Sequence, residues 1–380
     1  MFNIFLTFFV SIILNVGITK ILIKISNKYK IYDEPNGRKQ HRVPVSFLGG
    51  FSIFSAFYIS YGLCFPLQNS KPNYSHTVFM VLFTFLIFGL ADDFLNFKAN
   101  KKFALQFILI SIFLFNSNDI IEFNEIIGIE GHYYTLNLIC SILIMNIMVN
   151  SINLIDGSDG IAASIAIIIC SILCYYFILI KNIYHLLIGI SLLGSLIGFL
   201  YFNKPPAKIF MGNGGSLFIG MILSILTFKF VNNNTINGSM EVYDFYLKIK
   251  IAIGLFSIPA FDLVRVMLYR IYKKRNPFIG DSNHIHHKLK AIGFNSKYTF
   301  VVIVLLEFLN LSFAFTNFYE NSIIFYLNII LLAYSISILI ISQIEQERKS
   351  KQSDFNFEQQ EKDNKKKENI GKVKELELYN

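Results

Sequence analysis

Five clusters of polar residues interrupt an otherwise apolar chain, and each carries residue types suited to phosphate chemistry. Asp92 and Asp93 stand side by side in ADDFLNFKANKK, at the end of an apolar run. Neighbouring carboxylates repel each other, so a cation or a proton is expected to accompany them. Asn153, Asp156 and Asp159 recur three apart in NSINLIDGSDGIAAS, and would share a face if the segment is helical, with Gly157 and Gly160 leaving room beside it. Arg38, Lys39 and His41 lie close together in YDEPNGRKQHRVPVSFLGG, where Arg and Lys are what a phosphate needs and Gly49 and Gly50 open the next helix. NKPPAKIFMGNGGSLFIG runs a Gly-rich turn into a helix start, whose exposed amides suit phosphate oxygens. In KKRNPFIGDSNHIHHKLKAIGF, His284, His286 and His287 sit beside Asp281 among several cations. Without an evident fourth ligand, that histidine cluster does not favour zinc. Taken singly, these are a basic loop, a helix-end pair and a turn. Together they offer cations for anions, acids for a divalent cation and amides for phosphates, a set that fits transfer of a phosphorylated group to a membrane-borne acceptor.

The elements that must position these groups are membrane spans. Of 380 residues, 54% are apolar and only 16% charged, with 40 Phe and no Trp, which excludes an ordinary soluble domain. The apolar runs predict an all-α polytopic membrane protein with about eleven transmembrane helices, roughly at 2–24, 48–67, 76–91, 103–116, 135–149, 160–180, 184–202, 215–231, 248–270, 298–316 and 323–343. The segment FNIFLTFFVSIILNVGI has no basic residue before it and Lys20 and Lys24 after it, so the N-terminus is expected outside and, by alternation through eleven spans, the C-terminus in the cytoplasm. Alternation then puts Lys28, Arg38, Lys98, Lys102, Lys204, Lys208, Lys274, Lys288 and Lys290 on the inner face, whereas the outer loops hold only Lys71 and Lys181. This asymmetry accounts for the net charge of +9 without nucleic acid. All five polar clusters fall on the same inner face. An ionised carboxylate is costly in hydrocarbon, and a position at the membrane edge lets Asp156 and Asp159 meet water or a substrate. The chain divides into a transmembrane domain, 1–344, and a charged, disordered cytoplasmic tail, 345–380. Cys64, Cys140, Cys170 and Cys174 lie in or beside apolar runs and read as core residues.

The five clusters, in this order from about Asp33 to Phe294, resemble the polyprenyl-phosphate N-acetylhexosamine-1-phosphate transferases of bacteria. RKQH with PVSFLGG, the DD pair, NLIDGSDGIA, FMGNGGS and NPFIGDSNHIHHKL carry the resemblance. It implies a magnesium-dependent exchange, with manganese as the substitute ion, at the bacterial inner membrane. A polyprenyl phosphate attacks the β-phosphorus of a UDP-amino sugar, releases UMP and starts a cell-surface glycan. The resemblance makes Asp92, Asp93, Asp156, His284, His286 and His287 catalytic, one of the acidic pair serving as base. It gives substrate contacts to Arg38, Lys39, His41, Asn153, Asp159, Asn203 and Phe210, with Phe210 stacking on the base and Asp159 nearest the uracil. The metal falls to Asp93, Asp156 and Asn213. Asn213 departs from the family pattern, which has Asp there, and NHIHH is similar to the branch that transfers simple amino sugars. The partners implied are the lipid carrier, the UDP-amino sugar and the membrane, and a homodimer is compatible with them.

Two other readings stand beside this one. A member that has lost catalysis would act as a scaffold binding the lipid carrier, and would tolerate loss of Asp92 or Asp93. A transporter would show charged groups at mid-helix and an internal repeat, and the sequence shows no repeat and no evident mid-helix charge. The amino sugar, the polyprenol length and the glycan served are not written in the sequence.

Overall fold

A computed structural model describes residues 2–32, 44–64, 72–123, 131, 133–232, 242–277 and 283–314, together with Tyr334 and Ile344. Among them run α1 (Phe2–Tyr29), α2 (Gly49–Cys64), α3 (Pro72–Leu95), α4 (Ala99–Ser117), α5 (Tyr134–Ile155), α6 (Ile161–Leu179), α7 (Ile183–Asn203), α8 (Gly212–Asn232), α9 (Val242–Leu255), α10 (Ser257–Tyr272), α11 (Ile285–Ala291) and α12 (Ser296–Ala314). Apart from an isolated parallel bridge between Ser46 and Ile209, the described residues form no β-structure.

Seven of these helices, α1, α3, α5, α6, α7, α8 and α12, are long and apolar enough to cross a membrane. Helices α9 and α10 qualify only together, bent by 70° at Phe256, so the single span expected over 248–270 is corrected to a broken pair. Helices α2 and α4 form where spans were expected but are not among the seven. The span expected over 323–343, apart from Tyr334, and the tail lie outside the described residues.

Helix α1 shows how a chain this apolar packs. Its buried stripe is polar, with Thr7, Ser11, Asn15 and Thr19 four apart, while Phe2, Phe5, Phe9 and Ile13 are exposed. That is the reverse of a soluble helix, because lipid offers no penalty to apolar surface and small polar residues let helices approach. The stripe meets α7, where Ser11 Oγ donates to the Ser191 carbonyl at 2.6 Å and a Cβ on Gly194 would lie 2.6 Å from the Phe8 carbonyl oxygen.

Helix α8 is the axis of the bundle, with 94% of its most apolar stretch buried among α2, α3, α5, α6 and α9. Its N-terminal half is glycine-rich because neighbouring backbones touch it. A Cβ on Gly50 would overlap the backbone of Gly215, and one on Gly89 would lie 2.5 Å from the Asn213 carbonyl oxygen. The bridge at Ser46, reinforced by hydrogen bonds from Gly49 N to Phe210 O at 3.0 Å and from Phe210 N to Ser46 O at 2.7 Å, pins the start of α2 to the same end. At the far end, Asp119 accepts from Tyr74 Oη at 2.7 Å and pairs with Lys229 at 3.3 Å.

Because backbone faces backbone at Gly50, no rotamer change can make room for a methyl group there. Gly50→Ala is expected to destabilise the protein by about 1–3 kcal/mol through overpacking. A lowered thermal midpoint in detergent measures this, and an unchanged midpoint would show that α2 and α8 are not so closely apposed.

Candidate functional site

The end of the bundle that gathers the starts of α2, α6, α8 and α11 and the ends of α3, α5 and α7 holds the polar clusters. Neighbouring residues on a helix point about 100° apart, and Asp92 and Asp93 accordingly diverge. Asp92 is buried, pairs with Lys102 Nζ at 2.5 Å and accepts from Phe97 N at 3.0 Å. Asp93 turns the other way, to the N-terminus of α8. One of its oxygens accepts from Asn213 N at 2.9 Å and Asn213 Nδ2 at 2.8 Å, and the other accepts from Gly214 N at 3.1 Å. The amides expected to cradle substrate phosphate are therefore spent on an internal carboxylate. Gly212 makes room for it: φ is +70° and a Cβ would lie 2.8 Å from an Asp93 oxygen.

Asn213 carries the linkage onward, since its Oδ1 accepts from Asn153 Nδ2 at 2.9 Å, and Asn153 also donates to Ser216 Oγ at 2.7 Å. Helix α5 stops at Ile155, so Asp156 caps it and Asp159 lies in the following turn. The shared helical face expected for Asn153, Asp156 and Asp159 is thus corrected to one helical residue and a turn. That turn is held from outside. Gly160 N donates to Asn203 Oδ1 at 3.0 Å, Asn203 Nδ2 donates to Ile209 O at 2.8 Å, and Ala207 N donates to Asp159 at 3.2 Å. Both ends of the buried Asn203 amide are thereby engaged by backbone. Phe210, half-buried, follows in the same strand-like segment.

The histidine cluster joins the turn through His286, which is buried with its Nε2 only 2.7 Å from where a Cβ on Gly157 would stand. Gly157 is therefore a contact point for His286. Neither ring nitrogen of His286 has a hydrogen-bond partner, and burial, followed by His287 and His284, holds it well below the usual histidine range. It is neutral at pH 7. His284 is oriented by Asp262 at 2.8 Å, and His287 packs against the His286 ring with centroids 4.3 Å apart. Lys290 reaches the turn as well, donating to Ser158 Oγ at 3.1 Å. Arg38, Lys39, His41 and Asp281 lie outside the described residues.

Beside this cluster opens a cavity of about 380 Å³. Asp92, Lys102, Asn153, Asn213 and Arg270 supply its polar wall, and Phe103, Leu217, Leu263 and Met267 its apolar one. Lys102 was legible only as a member of a basic loop and Arg270 only as the last residue of the span expected over 248–270, because nothing in sequence spacing brings α4 to α10. A cavity lined by two cations and several apolar side chains suits an anion carried on a lipid.

Burial, then the charges of Asp93 and Asp159, pushes the Asp156 carboxyl well above the ordinary carboxylate range. Asp156 thus feels the charges of two other acids, Asp93 and Asp159. This fits a divalent cation, for which Asp93, Asp156 and the Asn213 amide oxygen are the donors at hand. Among the described residues no group of three His, Cys, Asp or Glu side chains is close enough to form a metal site without such help.

Residues 75–231 match the model of the family described as glycosyl transferase family 4. The chain is similar, at 29% identity over 81% of its length and 83% of the relative's, to a probable undecaprenyl-phosphate N-acetylglucosaminyl 1-phosphate transferase of Bacillus subtilis. It is 26% identical, over 74% of its length and 75% of the relative's, to a decaprenyl-phosphate N-acetylglucosaminephosphotransferase of Mycobacterium leprae. It is 24% identical, again over 74% and 75%, to an undecaprenyl-phosphate α-N-acetylglucosaminyl 1-phosphate transferase of Escherichia coli K12.

The crowding of acids at Asp156 has a consequence for stability. A carboxyl whose value is raised in the fold above its unfolded value near 3.9 favours the protonated form. Its contribution is full below about pH 4 and is lost as pH rises through the folded value. Asp156→Asn removes that loss. In chelator, the variant is expected to unfold at a higher temperature than wild type at pH 8, with the difference closing toward pH 4.

Proposed function

We propose that the chain is a member of the polyprenyl-phosphate N-acetylhexosamine-1-phosphate transferases, a reading supported by the glycosyl transferase family 4 match over residues 75–231 and by the relatives named above, and that it moves N-acetylglucosamine 1-phosphate, or the phosphate of a close amino sugar, from a UDP-sugar to polyprenyl phosphate. It is a multi-helix membrane protein and a sugar-phosphate transferase. The UDP donor, the magnesium ion, the cytoplasmic face and the start of a surface glycan belong to the proposal. The observation that carries it is the junction of the acidic cluster at Asp93, Asp156 and Asp159 with a cavity that pairs Lys102 and Arg270 with apolar walls.

In this reading the lipid phosphate enters the cavity from the membrane, with its first isoprene units against Phe103, Leu263 and Met267. Lys102 and Arg270 hold its oxygens, Lys102 exchanging part of its contact with Asp92 for the phosphate. The UDP-sugar approaches from water over the 156–160 turn, with Lys290 near its phosphates and Phe210 beneath its base. An oxygen of the lipid phosphate attacks the β-phosphorus as the bond to the α–β bridging oxygen breaks. UMP departs with that oxygen, and the sugar phosphate remains on the lipid as a diphosphate. Positioning and charge neutralisation do most of such work. A magnesium ion held by Asp93, Asp156 and Asn213 would neutralise the diphosphate. Neutral His286, closing one side of the turn, keeps water from the reacting oxygens and adds no positive charge of its own.

UMP release by the purified protein, given polyprenyl phosphate, magnesium and a panel of UDP-amino sugars, tests the assignment. Asp93→Asn is expected to lower turnover by orders of magnitude; wild-type rates in that variant would remove Asp93 from the catalytic set, whereas no UMP release from the unaltered protein with any UDP-amino sugar would favour the scaffold reading. Asn213→Asp places a second carboxylate against Asp93, which strengthens the demand for a cation. The magnesium concentration for half-maximal release is expected to fall, and an unaltered magnesium dependence would remove Asn213 from the ligand set.

A further inference from the structure

Glu307 is a fully buried carboxylate in the middle of α12, within the apolar run VVIVLLEFLNLSF, and takes no part in the proposed transfer. It belongs to the inward stripe of that helix with Thr299, Ile303 and Asn310, whereas Val301, Leu305 and Phe308 are exposed. An acid at such a position is expensive and calls for an explanation.

Its partners lie at the break between α9 and α10. The first amides of any helix lack an internal acceptor, and in an apolar setting each must find another one. The first bond along α10 runs from Ala260 N to Phe256 O at 2.9 Å, and Phe256 in the capping position has no side-chain oxygen to offer. Pro259, in the first turn, has no N–H to satisfy. Ile258 N does, and donates to Glu307 Oε2 at 3.0 Å, with Ser257 Oγ donating to the same oxygen at 3.3 Å. A residue 49 positions away in sequence supplies the cap that the local chain lacks.

Beyond the break, α10 forms a wall of the site. Asp262, one turn on, accepts from Arg265 at 2.8 Å, from Tyr334 Oη at 2.7 Å and from Ile285 N at 3.2 Å, and orients His284. Leu263, Met267 and Arg270 then line the cavity. We propose that Glu307 is a positioning residue: by capping α10 at the bend it sets the direction in which that helix leaves α9, and so the placing of Arg270 and the apolar wall against the acceptor. The acid at mid-helix thus serves an internal break.

The test measures the bend directly. Spin labels at the exposed positions Leu247 on α9 and Leu268 on α10, in full-length protein with its four native cysteines replaced, report the distance between the two helices. Glu307→Gln keeps an acceptor for Ile258 and is expected to keep the wild-type distance distribution. Glu307→Leu removes it and is expected to shift and broaden the distribution. Should the Leu variant fail to fold, Glu307→Asp, which retains the carboxyl group and withdraws the oxygen by one methylene, is expected to shift it in the same direction. A wild-type distribution in the Leu variant, or in the Asp variant where Leu does not fold, would overturn the proposal, as would a Gln variant that shifts like Leu. The activity arm rests on the transferase reading: the KM for polyprenyl phosphate is expected to rise roughly fivefold or more in Glu307→Leu, with Gln restoring it. The distance measurement does not depend on turnover, so failure of the transferase reading leaves it intact.

Discussion

The Asp93 carboxylate seated on the first turn of α8 is the contact on which the rest of the site depends. A charged acceptor receiving three N–H bonds at a helix N-terminus combines charge-assisted hydrogen bonding with the favourable end of the helix dipole. It fixes the end of α3 to the central helix, and the glycines at 50, 89, 212 and 215 follow from the close approach it requires. Because Asp93 points to α8, its neighbour points away and takes Lys102 from α4. The far side of the Asn213 amide then draws in Asn153, and with it the end of α5 and the turn that carries Asp156. A single carboxylate thus organises the ends of four helices, through a chain of contacts in which each amide is used on both sides.

Much of this was legible in the sequence, for reasons that differ by element. Helices α1, α3, α5, α6, α7 and α8 were readable because each is a long apolar run with a clear break. The polar clusters were readable because acids and glycines at such breaks have few other uses, and their described members do converge on one end of the bundle. The direction of each side chain was not. Asp92 and Asp93 look like a pair in the sequence and are parted by helical geometry, and the FMGNGGS amides look vacant until Asp93 is placed on them. The run over 248–270 reads as one span by its apolar length, although Pro259 marks a break within it, and the acceptor that meets the freed Ile258 amide, Glu307, comes from another helix. Glu307 itself carries the one signal that could expose it, an isolated acid in an apolar run, so the expectation of no mid-helix charge is corrected at this residue.

The charge arrangement gives the site a direction. Three acids crowd at Asp156 with Lys290 at their margin, while Lys102 and Arg270 stand on the cavity side beside the apolar wall. A lipid phosphate entering from that wall meets cations first, and a water-borne diphosphate approaching over the turn meets acids first. Two anions would repel each other if brought together without help, and the acids would repel the diphosphate. Asp93, Asp156 and Asn213, if they held a divalent cation, would ease both conflicts, since the acidic side would then attract the diphosphate while Lys102 and Arg270 serve the acceptor. Asn213 fits this division. As a neutral amide between Asp93 and Asn153 it holds the acidic side together without adding a fourth negative charge, which leaves the assembly of the helix ends independent of the ion even where the chemistry is not.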